Sequence, residues 1–369
     1  LYLYNQLYLR VNGYSFGETA ANENPNVIGI FEGDLGNDNV TWEKKRSADI
    51  GLDLNMFRDR LSLTVDYFSE VRYDQLVFRG SVPTILGIGF SPTNVAKVQN
   101  RGWDGQISYR NNWGQVQYNV TGVFSFAKNK ILFQDEAIPR YPWLARTGHS
   151  IGQSFGYTWI GFYEDEADVA ESAKPEIAGI RPGDLKYKDL NGDGIINEND
   201  MGPIGKPNLP NTTAGLTLGM GYKGFSLSVL FQGSTGYSFR VVGVGIEPFI
   251  GQLQPIHRER WTPSTSESAR FPRLSTNPSG INSSGSFPSN FWLLNVQYLR
   301  LKTVEMGYQL PSRWLPLSIS NARLYLSAYN LLTWTNYDFY QQDPEVTSGS
   351  VGDAYLNQRV INLGLQIGF

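Results

Sequence analysis

Residues 216–231 read LTLGMGYKGFSLSVLF and contain two segments in which every second residue is apolar. The first segment ends at Tyr222 and the second begins at Phe225, so only Lys223 and Gly224 separate them. Successive side chains of a β-strand point to opposite faces, and a two-residue link containing glycine is typical of an antiparallel hairpin. This stretch therefore predicts two adjacent antiparallel strands that share an apolar face.

The same alternation recurs on both sides of this hairpin. Alternating segments are found near residues 1–9, 48–54, 61–67, 103–109, 116–126, 216–222, 225–231, 304–308, 324–328 and 361–369. In the last segment Ile361, Leu363, Leu365 and Ile367 alternate with small or polar residues, and the sequence closes on the aromatic Phe369. A final strand of this kind is typical of bacterial outer-membrane barrels, although half-buried strands of soluble sandwiches alternate as well.

The lengths of the links between these segments alternate strictly between short and long. The long links are residues 12–45, 79–100, 128–211, 237–293 and 335–357. In a series of antiparallel neighbours, this places every short link at one end of the sheet and every long link at the other, as in barrels with short periplasmic turns and long extracellular loops. We therefore predict an all-β fold, an antiparallel transmembrane β-barrel portion of about ten strands. The competing interpretation is a soluble β-sandwich with elaborated loops at one end.

Polar residues opposite the apolar positions favour the barrel, because they suit a wet lumen better than a dry core. They are Gln106, Ser108, Arg110, Gln115, Gln117, Asn119 and Thr121. Aromatic residues near the strand ends are expected to form interfacial girdles, unless they are core aromatics of a sandwich. They include Trp42, Trp103, Trp113, Trp334 and Tyr337.

Composition excludes several classes of function. Lys and Arg number 31 against 34 Asp and Glu, which argues against nucleic acid as a partner. The sequence contains no cysteine, and therefore no disulfide or thiolate metal site. The first residues, LYLYNQLYL, alternate like a strand and lack the regions of an export signal, so we expect the sequence to begin inside a longer protein.

The sharpest local motif is Asp189-Leu190-Asn191-Gly192-Asp193-Gly194-Ile195-Ile196-Asn197-Glu198-Asn199-Asp200. Oxygen side chains fall at positions 1, 3, 5, 9 and 12 of a calcium loop, Gly194 is at position 6, and Ile195 at position 7 offers its carbonyl. The motif predicts a structural Ca²⁺ ion, held by Asp189, Asn191, Asp193, Ile195, Asn197 and Asp200, within the long extracellular connection 128–211. The alternative is a surface turn formed by Gly, Asn and Asp without a metal.

Other candidate sites are weaker. Glu164, Asp165, Glu166 and Asp168 suggest either a second cation site or a solvated face. His149 and His257 have no partner at catalytic spacing, so we expect no enzyme. Aromatic residues of the long loops have two possible roles. They bind ligand, by stacking on sugar rings or contacting peptide, or they only pack the loops together. They are Phe249, Trp261, Phe287, Phe291, Trp292 and Tyr340.

Several stretches resemble the SusC-like TonB-dependent transporters of the Bacteroidetes outer membrane. In chain order they are 39–44 (NVTWEK), 51–53 (GLD), 65–68 (VDYF), 98–103 (VQNRGW), 148–152 (GHSIG) with Gly156, Tyr157 and Gly161, 183–184 (GD) before the calcium-type loop, 298–302 (YLRLK), 307–311 (GYQLP), 330–335 (NLLTWT) and 343–345 (DPE). These stretches are spread over most of the chain and keep the order that they have in the family.

The resemblance implies a 22-stranded barrel with an amino-terminal plug, a segment that contacts TonB, and a SusD-like surface lipoprotein over the extracellular mouth. We find no plug and no TonB box in the sequence, and only about ten strands, so residues 1–369 are expected to be the carboxy-terminal part of one barrel domain. TonB is then expected to act through the missing amino-terminal part, and the strands to lie in outer-membrane lipid.

The expected function is TonB-dependent import of glycans or peptides, as the channel of a pair with the lipoprotein. Two alternatives stay open at this point. The first is a barrel that acts only as a structural subunit of a larger outer-membrane complex. The second is a self-contained ten-stranded barrel that acts as an enzyme or adhesin, since ten is a permitted even number.

Overall fold

The structure is a computed structural model, and it describes residues 3–14, 27–241, 243, 246, 253–276, 280–336, 342–345 and 355–369. Within these residues the strands are β1 (Tyr8–Tyr14), β2 (Val27–Glu32), β3 (Lys44–Met56), β4 (Leu61–Val77), β5 (Thr93–Trp113), β6 (Val116–Phe133), β7 (Ser154–Gly156), β8 (Trp159–Phe162), β9 (Leu185–Tyr187), β10 (Gly202–Ile204), β11 (Thr212–Tyr222), β12 (Phe225–Arg240), β13 (Leu293–Gln309), β14 (Asn321–Thr335) and β15 (Val360–Gly368).

Helical structure in the described residues is short. The α-helix α1 spans Glu166–Glu171, and 3₁₀ turns span Thr84–Leu86, Pro142–Leu144, Glu198–Asp200, Pro255–Glu259, Asn290–Trp292 and Ser312–Trp314. None of the helices in the described part of the chain has the length and apolar character needed to cross a membrane.

Nine strands form one sheet in the order β15-β14-β13-β12-β11-β6-β5-β4-β3. The order of the strands in the sheet follows their order along the chain, and the successive pairs from β6 to β15 are antiparallel. The links between successive strands are residues 57–60, 78–92, 114–115, 134–211, 223–224, 241–292, 310–320 and 336–359. Short and long links alternate as predicted, and the end of β15 lies beside the start of β14, at the short-link end.

The first of the ten expected strands does not join this sheet in the described residues. Strand β1 begins at Tyr8 and pairs instead with β2, in a separate two-stranded sheet. The strand β2 lies within the link that the sequence assigned to residues 12–45. Closing a short loop costs less entropy than closing a long one, which favours this local pairing.

The registers give the sheet two different faces. Pairing aligns one row of apolar residues across four strands, and the next row along the same strands is polar. The apolar row is Val229, Val304, Ala328 and Ile361, and the polar row is Ser228, Glu305, Ser327 and Asn362. We call the two sides of the sheet the apolar face and the polar face.

The predicted lumen residues of β6 lie on the polar face. Asn119 pairs with Gly219 of β11, which pairs with Ser228 of the polar row, and Gln117 and Thr121 lie two residues to either side of Asn119 on the same face. Leu218 of the same strand pairs with Val229 and Val120, and so belongs to the apolar face. One extended sheet with a polar and an apolar face does not fit a two-sheet sandwich with a dry core between its layers.

The aromatic residues expected in girdles are exposed. Trp42 is 87% exposed, Trp113 is 82% exposed, and Trp103 and Trp334 are 49% and 50% exposed. Tyr337 lies outside the described residues. Core aromatics of a sandwich would be buried, so the four described residues fit the interfacial interpretation.

The chain divides into two compact units. The first comprises Leu1–Ala48, Ser69–Asn100 and Asn129–Ser150, and the second comprises Asp49–Phe68, Arg101–Lys128 and Ile151–Phe369. The first unit is held by ion pairs such as Arg79 with Asp135 at 2.9 Å. The second contains residues 151–211 of the link after β6 and the whole link 241–292, and these form the site described next.

Candidate functional site at the ends of the strands

The long connections of the second unit share a buried apolar cluster, which we call the loop core. Its members are Tyr157, Tyr163, Val169, Leu185, Tyr187, Ile196, Tyr237, Phe239, Val241, Ile246, Ile256, Phe271, Ile281, Trp292 and Val296. They come from α1, from β9, from the ends of β12 and β13, and from the connections between these elements. The connections are therefore folded against one another and against the sheet ends of their own unit.

Three of the six loop aromatics take part in this packing, because Trp292 is a member of the loop core at 1% exposure and Phe287 and Phe291 pack against it. Trp261 is also buried, at 8% exposure. Phe249 and Tyr340 lie outside the described residues. Because a ring must be accessible to stack on a sugar, the packing interpretation holds for these two tryptophans.

Asp184 joins the two long connections. Its carboxylate is fully buried, forms an ion pair with Arg273 (Nε to Oδ1, 2.7 Å), and accepts hydrogen bonds from Asn282 Nδ2 at 2.8 Å and the Arg181 N–H at 2.9 Å. Asn282 Oδ1 also accepts from the Leu185 N–H at 2.9 Å. Asp184 lies in the connection after β6, and Arg273 and Asn282 lie in the connection after β12. A buried carboxylate with these partners fixes one connection to the other.

The calcium-type loop is ordered by its own side chains. Asp189 Oδ1 accepts a hydrogen bond from the Gly192 N–H at 2.7 Å, and Oδ2 accepts from the Gly194 N–H at 2.8 Å. Both glycines have positive φ, +75° and +81°, which explains glycine at these positions. Burial alone would raise the pKa of Asp189, but the hydrogen bonds from Gly194 and Gly192 outweigh burial and lower the pKa.

The other predicted ligands of this loop also accept backbone hydrogen bonds. Asn191 Oδ1 accepts from the Asp193 N–H, and Asp193 Oδ1 accepts from the Ile195 N–H, both at 2.9 Å. Asp200 is fully buried, and its Oδ2 accepts from the Asn197 N–H at 2.9 Å. The structure therefore brings the predicted residues into one compact loop. Among the described residues, no three carboxylate, histidine or cysteine side chains already converge on one metal position.

The acidic run at 164–168 stabilises α1 and its surroundings. Asp165 caps the helix by accepting from the Asp168 N–H at 2.7 Å, and Asp168 forms an ion pair with Lys186 at 2.6 Å. Burial raises the pKa of Asp168, but hydrogen bonds from Lys186, Ser172 and the Glu164 N–H outweigh burial and lower the pKa to about 2. These contacts account for two of the carboxylates without a second cation.

This pKa predicts an acid-dependent loss of stability. Because the folded pKa of Asp168 is below its ordinary value of 3.8, its contribution is present at neutral pH and is lost as the pH falls from about 4 towards 2. The size of the contribution is roughly 2 kcal/mol. We expect the difference in unfolding free energy between the wild type and Asp168→Asn to be constant above pH ~5 and to shrink below pH ~4. Unfolding of the full-length protein at a series of pH values measures it, and a difference independent of pH would contradict the ion-pair assignment.

His257 has a structural role in the loop core. It is 3% exposed, its Nδ1 accepts from the Gln254 N–H at 2.8 Å, and its Nε2 therefore donates to the Ile246 carbonyl at 2.9 Å. Both ring nitrogens are used, and the ring edge packs on Phe271. His149 lies in the first unit, where its carbonyl accepts from the Ile131 N–H at 2.8 Å.

A buried ionic network, which sequence reasoning did not predict, ties residues 342–345 to strand β13. Arg300 is 1% exposed and donates to Asp343 at 2.7 Å and to Glu345 at 2.8 Å. Lys302 also donates to Glu345, at 2.9 Å, and Tyr237 OH donates to the Pro344 carbonyl at 2.8 Å. Arg300 pairs with Gln232 on the polar face of the sheet. Residues 342–345 of the last long connection therefore lie against the polar face.

The sequence contains both stretches that form this network, but it does not show that they contact each other. Residues 298–302 and 343–345 are two of the stretches that carry the family resemblance. Their opposite charges suggest an ion pair only when the two stretches are known to be adjacent, and 43 residues separate Arg300 from Asp343.

Comparison with known proteins identifies the class. The family model described as TonB dependent receptor-like, beta-barrel matches residues 3–331. The chain belongs to this family, and it is part of an outer-membrane β-barrel, as the sequence resemblance predicted.

The relatives are full-length receptors of which this chain covers a part. TonB-dependent receptor P3 of Formosa agariphila is 28% identical over 93% of this chain and 36% of its own length. TonB-dependent receptor SusC of Bacteroides thetaiotaomicron is 23% identical over 100% of this chain and 35% of its own length. The solved structure of the RagAB peptide transporter matches with a TM-score of 0.72 at 22% identity, over 100% of this chain and 39% of that one, and this likeness shows the fold.

Proposed function

We propose that the protein containing this chain is the channel of a TonB-dependent importer, working with a SusD-like surface lipoprotein. Family membership and the likeness to SusC support the transport class. The observation that carries the proposal is the sheet itself, with one polar and one apolar face and all its long connections at one end. An apolar exterior and a wet interior are what a polar solute needs to cross an outer membrane.

The proposed cargo is a glycan or a peptide. The relatives include SusC and a structure named as a peptide transporter, and the chain shares the fold of the latter. The polar face offers amide and charged groups, such as the exposed Asn362 and the ion pair of Glu305 with Arg323 at 2.7 Å. Groups of this kind can hydrogen-bond either cargo in passing, so the proposal covers both classes.

The proposed role of the loop core is to hold the channel mouth in shape for the lipoprotein. Buried contacts such as those of Asp184 and Trp292 make the connections a folded surface rather than separate flexible loops. Rigid surfaces lose less conformational entropy on association. TonB is proposed to act through the amino-terminal part of the longer protein, and the role is not enzymatic.

Growth on single nutrients tests this function. In a strain lacking the full-length gene, growth on one glycan or peptide mixture should fail, and the intact gene should restore it. Disruption of TonB should abolish the restored growth while leaving the protein in the outer membrane. Normal growth of the deletion strain on every glycan and peptide tested, with the protein still assembled into a larger complex in the wild type, would instead support a structural subunit.

We also propose that the loop 189–200 binds Ca²⁺. Asp200 is fully buried and Asp189 is partly buried, and neither carboxylate forms a salt bridge with another side chain of the described residues. A buried carboxylate without a cation is unfavourable, so the donor set fits a hard cation. Side-chain oxygens of Asp189, Asn191, Asp193, Asn197 and Asp200, together with the Ile195 carbonyl, would hold the ion. When bound, it would neutralise these charges and pin the connection.

The calcium proposal predicts a stability difference. With calcium about 100-fold above its dissociation constant, bound metal stabilises the folded state by about 2.7 kcal/mol. We expect Asp189→Asn with Asp193→Asn to abolish calcium in the purified full-length protein, and to remove the shift in unfolding temperature that a chelator causes in the wild type. Glu198→Gln is the matched control, because Glu198 lies in the same loop at a position that carries no proposed ligand. Equal metal content in the double variant and the wild type would contradict the assignment.

A further inference from the structure

The apolar face of the sheet contains a depression near the long-connection end of β11–β14. It has a volume of about 490 Å³ and is lined by Thr212, Ala214, Gly233, Ser234, Thr235, Gln297, Tyr298, Leu299, Trp334, Thr335 and Asn336. Most of these residues belong to two successive rows on the apolar face. One row contains the small residues Ala214 and Gly233, and the other contains polar residues.

Two adjacent small residues form the floor of the depression. In the register, Ala214 pairs with Gly233, Gly233 pairs with Leu299, and Leu299 pairs with Trp334. Ala214 and Gly233 project almost no side chain beyond the sheet, whereas Leu299 and Trp334 are 46% and 50% exposed and form a wall. The floor and this wall are apolar, and they suit a hydrocarbon chain lying on the sheet.

A second row of side chains on the apolar face, which are themselves polar, borders the floor on the side of the long connections. Thr212 pairs with Thr235, and Thr235 pairs with Gln297. The structure describes no hydrogen-bond partner for the side chains of Thr235 and Gln297. On a face that lies in a membrane, lipid tails leave such groups without a hydrogen-bond partner, whereas lipid headgroups can bond to them.

We propose that this depression binds one glycolipid of the outer leaflet. An acyl chain lies over Ala214 and Gly233 against Leu299 and Trp334, and the sugar headgroup hydrogen-bonds Thr235 and Gln297. The lining residues that the structure describes include no Lys or Arg, so uncharged sugar hydroxyls fit them better than a phosphate does. The site lies on the face opposite the transport path and rests on the outer-membrane location, and it does not depend on the proposed cargo.

Native mass spectrometry of the full-length protein in mild detergent tests the site. The probes are a synthetic diacyl glucosamine glycolipid and phosphatidylethanolamine with the same acyl chains. We expect the wild type to bind the glycolipid at least about tenfold more tightly than Ala214→Leu, which fills the floor. Gln297→Leu should retain an acyl lipid but lose the preference for the sugar headgroup.

Two further variants make the result decisive. Gly233→Leu fills the same floor from the next strand, and Leu218→Trp enlarges a residue of the same face outside the depression. Only the first should lose the glycolipid, and an SDS-gel shift on heating verifies that both are folded. Equal glycolipid binding by the wild type, Ala214→Leu and Gly233→Leu would overturn the proposal, and so would equal binding of the two lipids by the wild type.

Discussion

We expect Arg300→Met to destabilise the protein by about 3–5 kcal/mol and to release residues 342–345 from strand β13. Removing the guanidinium leaves Asp343 and Glu345, which are 9% and 19% exposed, with Lys302 as the one nearby cation in the described part of the chain. A buried charge that loses its partner is far more costly than a buried pair. Arg300→Lys should be intermediate, because an ammonium group cannot donate to both carboxylates in the planar geometry of guanidinium.

The measurement combines denaturant unfolding of the full-length protein with hydrogen exchange at residues 342–345. Arg270→Met is the matched control, because Arg270 pairs with Glu259 at 3.3 Å on the surface, with both side chains more than 40% exposed. That variant should change stability by less than about 1 kcal/mol. If Arg300→Met changed stability no more than this control, the network would not hold the connection.

We expect Asp184→Leu to separate the two long connections, at a similar cost of about 3–5 kcal/mol. The change leaves the half-buried Arg273 without its carboxylate and leaves Asn282 Nδ2 and the Arg181 N–H without their acceptor. Each buried group left unsatisfied costs about 1–3 kcal/mol. Protease accessibility of residues 253–276 should rise, while the strands of the sheet remain protected.

The double variant Asp184→Leu with Arg273→Met provides the control for Asp184. If the two residues act as a pair, the double variant should be more stable than the sum of the single changes predicts, by about 0.5–3 kcal/mol. Additive effects would show that Asp184 acts through its hydrogen bonds alone. An unchanged protease pattern in Asp184→Leu would show that the loop core holds the connections without this carboxylate.

The sequence predicted the features of this fold that depend on neighbours along the chain. Alternation in 216–231 and the two-residue link at Lys223 and Gly224 gave both strands, their pairing and the apolar face. Local patterns also predicted the order of short and long links, and the spacing of Asp and Asn predicted one compact loop at 189–200. In that loop the predicted side chains bond to backbone groups two to five residues away. Whether the loop holds calcium stays a prediction.

The features that the sequence did not predict depend on residues far apart. Asp184 and Asn282 are separated by 98 residues, and no local pattern marks them as partners. The aromatic residues of the connections carried no signal that distinguishes packing from ligand binding, because the outcome depends on what other connections bring against them. The first strand was assigned to the large sheet because its alternation resembles the others, and alternation does not say which strand pairs with which.

The sequential order of the nine-stranded sheet also bears on how the chain folds. Hairpins such as β11–β12 close over two residues and can form early, whereas β6 meets β11 only after the 134–211 connection has been spanned. The entropy of closing a loop grows only with the logarithm of its length, and early compaction of β7–β10 and the 189–200 loop would shorten the effective distance. The contacts that fold the long connections would then also determine how quickly the nine-stranded sheet is completed.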